Sequence, residues 1–213
     1  RYINIMLYNF SDAGILGLSE FPYTVAPEYL EGCEQWTGGV PTQDQLVSPR
    51  CVSINNGYIY EDNCPLTPET PDGNANYVAV TIAHELGHYL GLRHVFSENE
   101  TGTECIDSDL CEDTPTYNKT AYNNLVNSIG AAGLLEHLDV LIMREDCVRG
   151  TEYKSTNIMD YAVSYSNTFT ANQRERVRYI LEKGAFVPGP KNRDISNSTR
   201  TAGSGELPHH VME

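Results

Sequence analysis

His84, Glu85, His88 and His94 fall within eleven residues, HELGHYLGLRH, with glycines at Gly87 and Gly91. Side chains four apart on a helix project from one face about one turn apart, so the His84 and His88 imidazoles can share one metal ion. Glu85, next to the first histidine, can reach a metal-bound water without being a ligand. Glycine tolerates positive φ, so Gly91 lets the helix stop and the chain turn sharply. That turn brings His94 back as a third ligand. Three neutral imidazoles leave a fourth position for water, the coordination of catalytic rather than structural zinc. Zinc lowers the pKa of its water to about 7 and polarises a carbonyl. Glu85 can then act as general base and pass the proton to a leaving amine. The plain alternative is a helix whose histidines are merely packed or solvated. H-E-x-x-H alone recurs by chance, and the added x-x-G-x-x-H makes the pattern far more specific.

The elements that must position these residues are partly legible. Asn74 to Leu92 is the strongest helix, with Val78, Ile82, Leu86 and Tyr89 on one apolar face at spacings of three and four. Asn172 to Lys183 is a second helix, begun by Thr170 and stopped by Gly184. Tyr2 to Tyr8 alternates like a strand, and Cys51 to Tyr60 reads as strand, Asn-Asn-Gly turn, strand. Val25 to Trp36 has no clean period and is closest to a short irregular helix. Ser11 to Pro22, Glu61 to Gly73 and Glu98 to Tyr117 read as loops. Tyr122 to Met143 has a helical pattern broken at Gly130 and Gly133. From Pro188 onward the composition is that of a tail or linker.

The 213 residues suffice for one domain or two tightly joined subdomains. The formal charge of −15 makes nucleic acid a poor partner, because phosphate is met by basic surfaces. No apolar run is long enough to span a membrane. The chain has no initiating Met and no visible signal peptide, as expected of the processed part of a longer precursor. Six cysteines, at positions 33, 51, 64, 105, 111 and 147, form no C-x-x-C pair. They fit an oxidising setting with up to three disulfides, hence a secreted, periplasmic or cell-surface protein; six buried thiols are the alternative.

The histidine motif resembles the metzincin metalloprotease signature, H-E-x-x-H-x-x-G-x-x-H followed by a Met-turn. Asn157-Ile158-Met159-Asp160-Tyr161 is similar to that turn. The resemblance implies that Met159 forms the floor beneath the metal and that Tyr161 stands beside the zinc to assist the oxyanion. The closer resemblance is to the pappalysins, peptidase family M43. Ile3 to Tyr8 with Gly17 and Phe21-Pro22, the segment Ser108 to Pro115, Asp146-Cys147, and Phe169-Thr170 carry it. Ser108 and Cys111 depart from that family's pattern, and Asn123 to Met143 looks like an insertion.

This resemblance implies an α+β, metzincin-like catalytic domain over about 1–187. A mixed twisted sheet with backing and active-site helices would sit above the cleft as an upper part, about 1–91. A small irregular lower part would follow, about 92–187, with 188–213 as a C-terminal extension. An upper edge strand within Cys51 to Tyr60 would pair with extended substrate. The family's aspartate segment binds calcium, which would make Asp109 and Asp113 calcium ligands, with Glu104, Asp107 and Glu112 nearby; a solvated acidic loop is the alternative. The family pattern pairs Cys105 with Cys147, leaving Cys111 to a partner among Cys33, Cys51 and Cys64; Cys111 with Cys147 is the other option.

The expected activity is that of a zinc-dependent endopeptidase acting on protein or peptide substrates through a zinc-bound water activated by Glu85. A catalytically idle zinc-binding interaction module and a zinc amidohydrolase on a non-protein amide are the rival readings. In metzincins the pocket for the residue after the scissile bond is walled partly by the chain beyond the Met-turn. Residues 162–167 contain no acid, which predicts a neutral or apolar residue there unless Glu136 or Asp139 reaches in.

Overall fold

The computed structural model describes residues 2–46, 50–59, 77–97, 105–161 and 163–188. The proline-rich stretch 61–73, the first residues of the expected helix at 74–76, Cys64, Glu104 and the tail after 188 lie outside these.

Three short strands form a mixed sheet in the order β1 (Ile5–Tyr8), β5 (Val52–Asn55), β2 (Gly17–Ser19). β1 runs parallel to β5 and β2 antiparallel to it. β5 is buried along its whole length, as a central strand should be, whereas every residue of β1 is exposed. Two further parallel strands, β3 (Tyr23–Val25) and β4 (Glu34–Trp36), occupy the stretch expected to be an irregular helix. Three-residue strands carry too little alternation to be read, and their pairing is fixed by tertiary contacts.

Two expectations for Cys51 to Tyr60 are corrected. The chain does not turn back as a second strand: the Asn55 side chain accepts from the Gly57 amide and starts a 3-10 turn at Asn56–Tyr58. β5 is the central strand, with a neighbour on both sides, and the edges are β1 and β2, of which β2 packs on α1.

Helix α1 (Val78–Tyr89) packs on β5 and β2. Its predicted apolar face is real: Val78, Ile82 and Leu86 pack against a core of Val52, Ile54, Tyr89, Ile180 and Val187. Ile180 belongs to α4 (Ala171–Lys183), so the last helix closes the same core that the sheet begins. α4 starts with a capping box, in which the Gln173 amide donates to Thr170 Oγ1 and the Thr170 amide to Gln173 Oε1. No helix backs β1 among the described residues.

A second core of Phe96, Tyr117, Tyr122 and Leu141 lies below the helix. It joins β6 (Phe96–Ser97) and β7 (Tyr117–Asn118) to α2 (Lys119–Ile129), α3 (Leu138–Leu141) and the hairpin of β8 (Met143–Asp146) with β9 (Thr151–Lys154). A Cys105–Cys147 disulfide ties the aspartate segment to the end of β8. Among the described residues Cys33, Cys51 and Cys111 are free thiols.

Candidate metal centre

Helix α1 ends in a Schellman motif. The Leu92 amide donates to the Gly87 carbonyl and the Gly91 amide to the His88 carbonyl, with Gly91 at φ +91°. A side chain at Gly91 would also press on Ile180, and Arg176 of α4 clamps the Gly91 carbonyl from outside. The turn therefore has one shape, and it delivers His94 beneath the helix.

The three imidazoles converge. The Nε2 atoms of His84 and His94 lie 3.1 and 3.0 Å from Nε2 of His88. His84 Nδ1 lies 2.7 Å from the Ile158 carbonyl and His88 Nδ1 2.8 Å from the Leu92 carbonyl. A carbonyl can only accept, so each Nδ1 carries the proton and each Nε2 lone pair faces the convergence point. Two such lone pairs facing each other would repel in a purely packed cluster. Their convergence, with the tautomers fixed from behind, fits a cation bound at Nε2. Burial and the neighbouring His88 push the His84 pKa down to about 3, which keeps its ring neutral as a ligand must be.

The floor explains Gly87, the other glycine of the motif. A Cβ there would stand 2.4 Å from the sulfur of Met159, which is fully buried. The Met159 turn is fixed by Asn157, whose Oδ1 accepts from the Met159 amide and whose amide group pairs with Gln173 of the α4 capping box. The turn's carbonyls serve the site: Ile158 holds His84, and Met159 accepts from the Val95 amide.

Beneath the turn, Asp160 is buried and engaged on every side. It accepts from Tyr117 Oη at 2.5 Å, from the Tyr161 amide at 2.7 Å and from Ser155 Oγ, and it faces the Arg144 guanidinium at 3.6 Å. This network positions Tyr161, whose partly exposed ring sits 4.5 Å from His94 and 5.5 Å from His84, centroid to centroid. Sequence reasoning quoted Asp160 only as part of the turn and missed its partners Arg144 and Tyr117, because nothing local marks residues so far apart as partners.

Glu85, next to His84 on α1, meets β2. Its Oε2 accepts from Ser19 Oγ at 2.7 Å, and Ser19 also touches the Glu85 carbonyl. Burial lifts its carboxyl above the ordinary glutamate range, opposed by the Ser19 bond. Gly17 makes room for it, since a Cβ there would stand 2.6 Å from Glu85 Cγ. The edge strand β2 thus packs directly on the expected general base. A cavity of about 540 Å³ opens here, with His84, Glu85 and Tyr161 in its lining.

The aspartate segment is arranged differently. Asp109 is buried, and its carboxylate accepts from the Cys111 amide and Thr114 Oγ1. Burial and the nearby Asp107 push its pKa up to about 6. Asp113 accepts from the Asn172 amide at the start of α4. Among the described residues, the three histidines form the one cluster of His, Cys, Asp or Glu close enough to hold a metal ion.

Comparison with known proteins places these observations. The model for peptidase family M43, described as pregnancy-associated plasma protein-A, matches residues 51–182. An extracellular metalloprotease of Arthroderma otae is 33% identical over 120 residues, covering 54% of this chain and 37% of its own length. One of Trichophyton verrucosum is 32% identical over 123 residues, covering 56% and 38%. The chain thus spans well under half the length of these relatives. Mature mirolysin of Tannerella forsythia, solved in complex with a cleaved peptide, superposes with a TM-score of 0.50 over 85% of this chain and 52% of its own, at 23% identity, which is a likeness of fold.

Proposed function

The chain belongs to peptidase family M43 and has its metzincin-type α+β fold, and from that premise we propose that it is a secreted zinc-dependent endopeptidase whose site is His84, His88, His94, Glu85 and Tyr161. The observation that carries the reading is the convergence of the three histidines, with Nε2 of His84 and of His94 within 3.1 Å of Nε2 of His88 and each ring on α1 oriented by a carbonyl behind it.

A zinc ion held by these nitrogens would supply Lewis-acid polarisation of a peptide carbonyl and acidify a water molecule. The protein's own groups do the rest. Extended substrate lies along β2, whose outer edge has no strand neighbour among the described residues. Glu85 takes the proton from the attacking water at its carboxylate and gives it to the departing amine. Ser19 fixes the carboxylate that does so. The Tyr161 phenol donates toward the oxygen that becomes negative, and the Asp160 network holds Tyr161 in place. Glu85 speaks against an idle zinc module, because a buried carboxyl with a room made for it by glycine has no value to a site that only binds metal. Secretion is supported by the disulfide and by the relatives' description as extracellular. Among the described residues no helix is long and apolar enough to cross a membrane.

Calcium at the Asp109–Asp113 segment is part of the proposal. A cation would offset the burial, and the nearby Asp107 charge, that lift the Asp109 carboxyl, and each carboxylate oxygen keeps a second acceptor site.

The test is proteolysis of an unfolded protein substrate before and after treatment with 1,10-phenanthroline. Cleavage should stop with the chelator and return with added zinc; undiminished cleavage in a metal-free sample would overturn the reading.

A further inference from the structure

Resting on the endopeptidase reading, we propose that the cavity beside the metal site is an apolar subsite with Val80 as its selecting residue, so that the enzyme prefers a large aliphatic or aromatic side chain flanking the scissile bond. The cavity reaches His84, Glu85 and Tyr161, which places its occupant next to the reacting carbonyl. Val80 lies one helical turn before His84 on α1, on the face that carries the metal ligands. The core packed on that helix takes Val78, Ile82, Leu86 and Leu90, whereas Val80 lines the cavity. From β2 and the chain before it come Ile15, Leu16 and Leu18, the last 53% exposed. Apolar surface left open beside a reactive site, with polar groups set around it, makes a side-chain pocket.

Much of the polar lining is already engaged. The Tyr122 hydroxyl donates to the Leu141 carbonyl at 3.0 Å and that of Tyr117 to Asp160, so both phenols are spent on the protein and offer the cavity their rings. Thr81 Oγ1 donates to the Tyr77 carbonyl within the helix. Asp160 also accepts from Ser155 and the Tyr161 amide and pairs with Arg144, and Glu85 is held by Ser19 for its part in the reaction. Among the described residues these two are the acids of the lining, and neither Glu136 nor Asp139 joins them. A lysine or arginine side chain would therefore give up water without gaining a carboxylate of its own. A leucine or phenylalanine gives up nothing polar and gains aliphatic and ring contacts. The chain's −15 charge would draw basic substrates from a distance, but the local contact decides selection. Lys119 lines the cavity too, its ammonium over the Phe96 and Tyr161 rings, so glutamate belongs in the test.

Zinc-loaded protein is given a peptide series carrying Phe, Leu, Met, Ala, Lys or Glu at each position flanking one cleavable bond. At one of these positions kcat/KM should be about 100-fold higher for Leu or Phe than for Ala, within the range that methylene groups command in an apolar pocket. Lys, about as long as Met, should do no better than Ala. Val80→Phe should fill the pocket and turn the preference to Ala, and Val80→Glu should turn it to Lys, both holding zinc as the wild type does. Val80→Ala, which a helix accepts readily, makes the same test with a milder change and should move the preference from Leu toward Phe. The same peptides are also titrated by fluorescence anisotropy into zinc-loaded Glu85→Gln, which reads affinity without turnover. Tighter binding of Leu than of Ala and Lys peptides, lost when Val80→Phe is added, supports the subsite even if the wild type cuts nothing, in which case only the endopeptidase reading falls. Cleavage with equal rates for Leu and Ala, or with Lys or Glu preferred over Leu, overturns the subsite and leaves the endopeptidase reading standing. A preference for Leu that no Val80 variant alters also overturns it, because the selecting wall then lies elsewhere.

Discussion

The metal floor and the cavity wall meet at His84 and Tyr161 but are built in opposite ways. On the floor, Met159 is fully buried, each ring proton of His84 and His88 has a carbonyl, and Gly87 leaves no spare volume. The wall is assembled from β2, α1, the start of α2 and the chain beyond the Met159 turn, around an open cavity. The floor is over-determined by short-range geometry, so changes there should be felt as lost metal and lost stability. In the proposed reading the wall holds substrate, so changes there should be felt as altered rates on a protein that still folds.

The largest effect should come from His94→Ala. Its zinc affinity should fall by more than the roughly 10–100-fold that removing an outer-shell partner costs. Zinc retained at wild-type level in a competitive chelator titration would put the third ligand elsewhere. Asp160→Ala should follow, because it strands the buried Arg144 cation. A loss of about 3–5 kcal/mol is expected in denaturant unfolding, and a loss below 1 kcal/mol would mean that the network is not what fixes the turn.

A single added methyl group separates the two regions. Gly87→Ala should cost about 1–3 kcal/mol by overpacking Met159. Gly17→Ala should shift the melting temperature less, yet slow cleavage by about 100-fold by displacing Glu85. Equal melting shifts with unequal rates reversed would break the distinction between floor and wall. The smallest effect concerns calcium. With its carboxyl pushed up to about 6, Asp109 lends stability that is fully present below its unfolded pKa and lost as pH rises through 6. Bound calcium should therefore raise the melting temperature by a few degrees at pH 7 and by less at pH 5. No change at millimolar calcium at either pH would remove the site.

What could be read in the sequence follows the same division. The converging histidines, Gly91 and the capped α4 were legible because short spacings along the chain determine them. The Cys105–Cys147 pair came from the family likeness, and the structure bears it out. β3, β4 and the edge role of β2 were not legible, since three residues give no period and pairing comes from distant chain. The Asn-Asn-Gly hairpin failed because the Asn55 side chain satisfied the Gly57 amide locally and diverted the chain.

The central claim is that His84, His88 and His94 hold a zinc ion for which Glu85 is the base and not a ligand. Side-by-side measurement of bound zinc and of cleavage in wild type and Glu85→Ala tests it most directly. One zinc per chain should remain in the variant, with cleavage reduced at least about 100-fold, as loss of a general base demands. A variant that still cuts at the wild-type rate, or one that loses its zinc, would contradict the account.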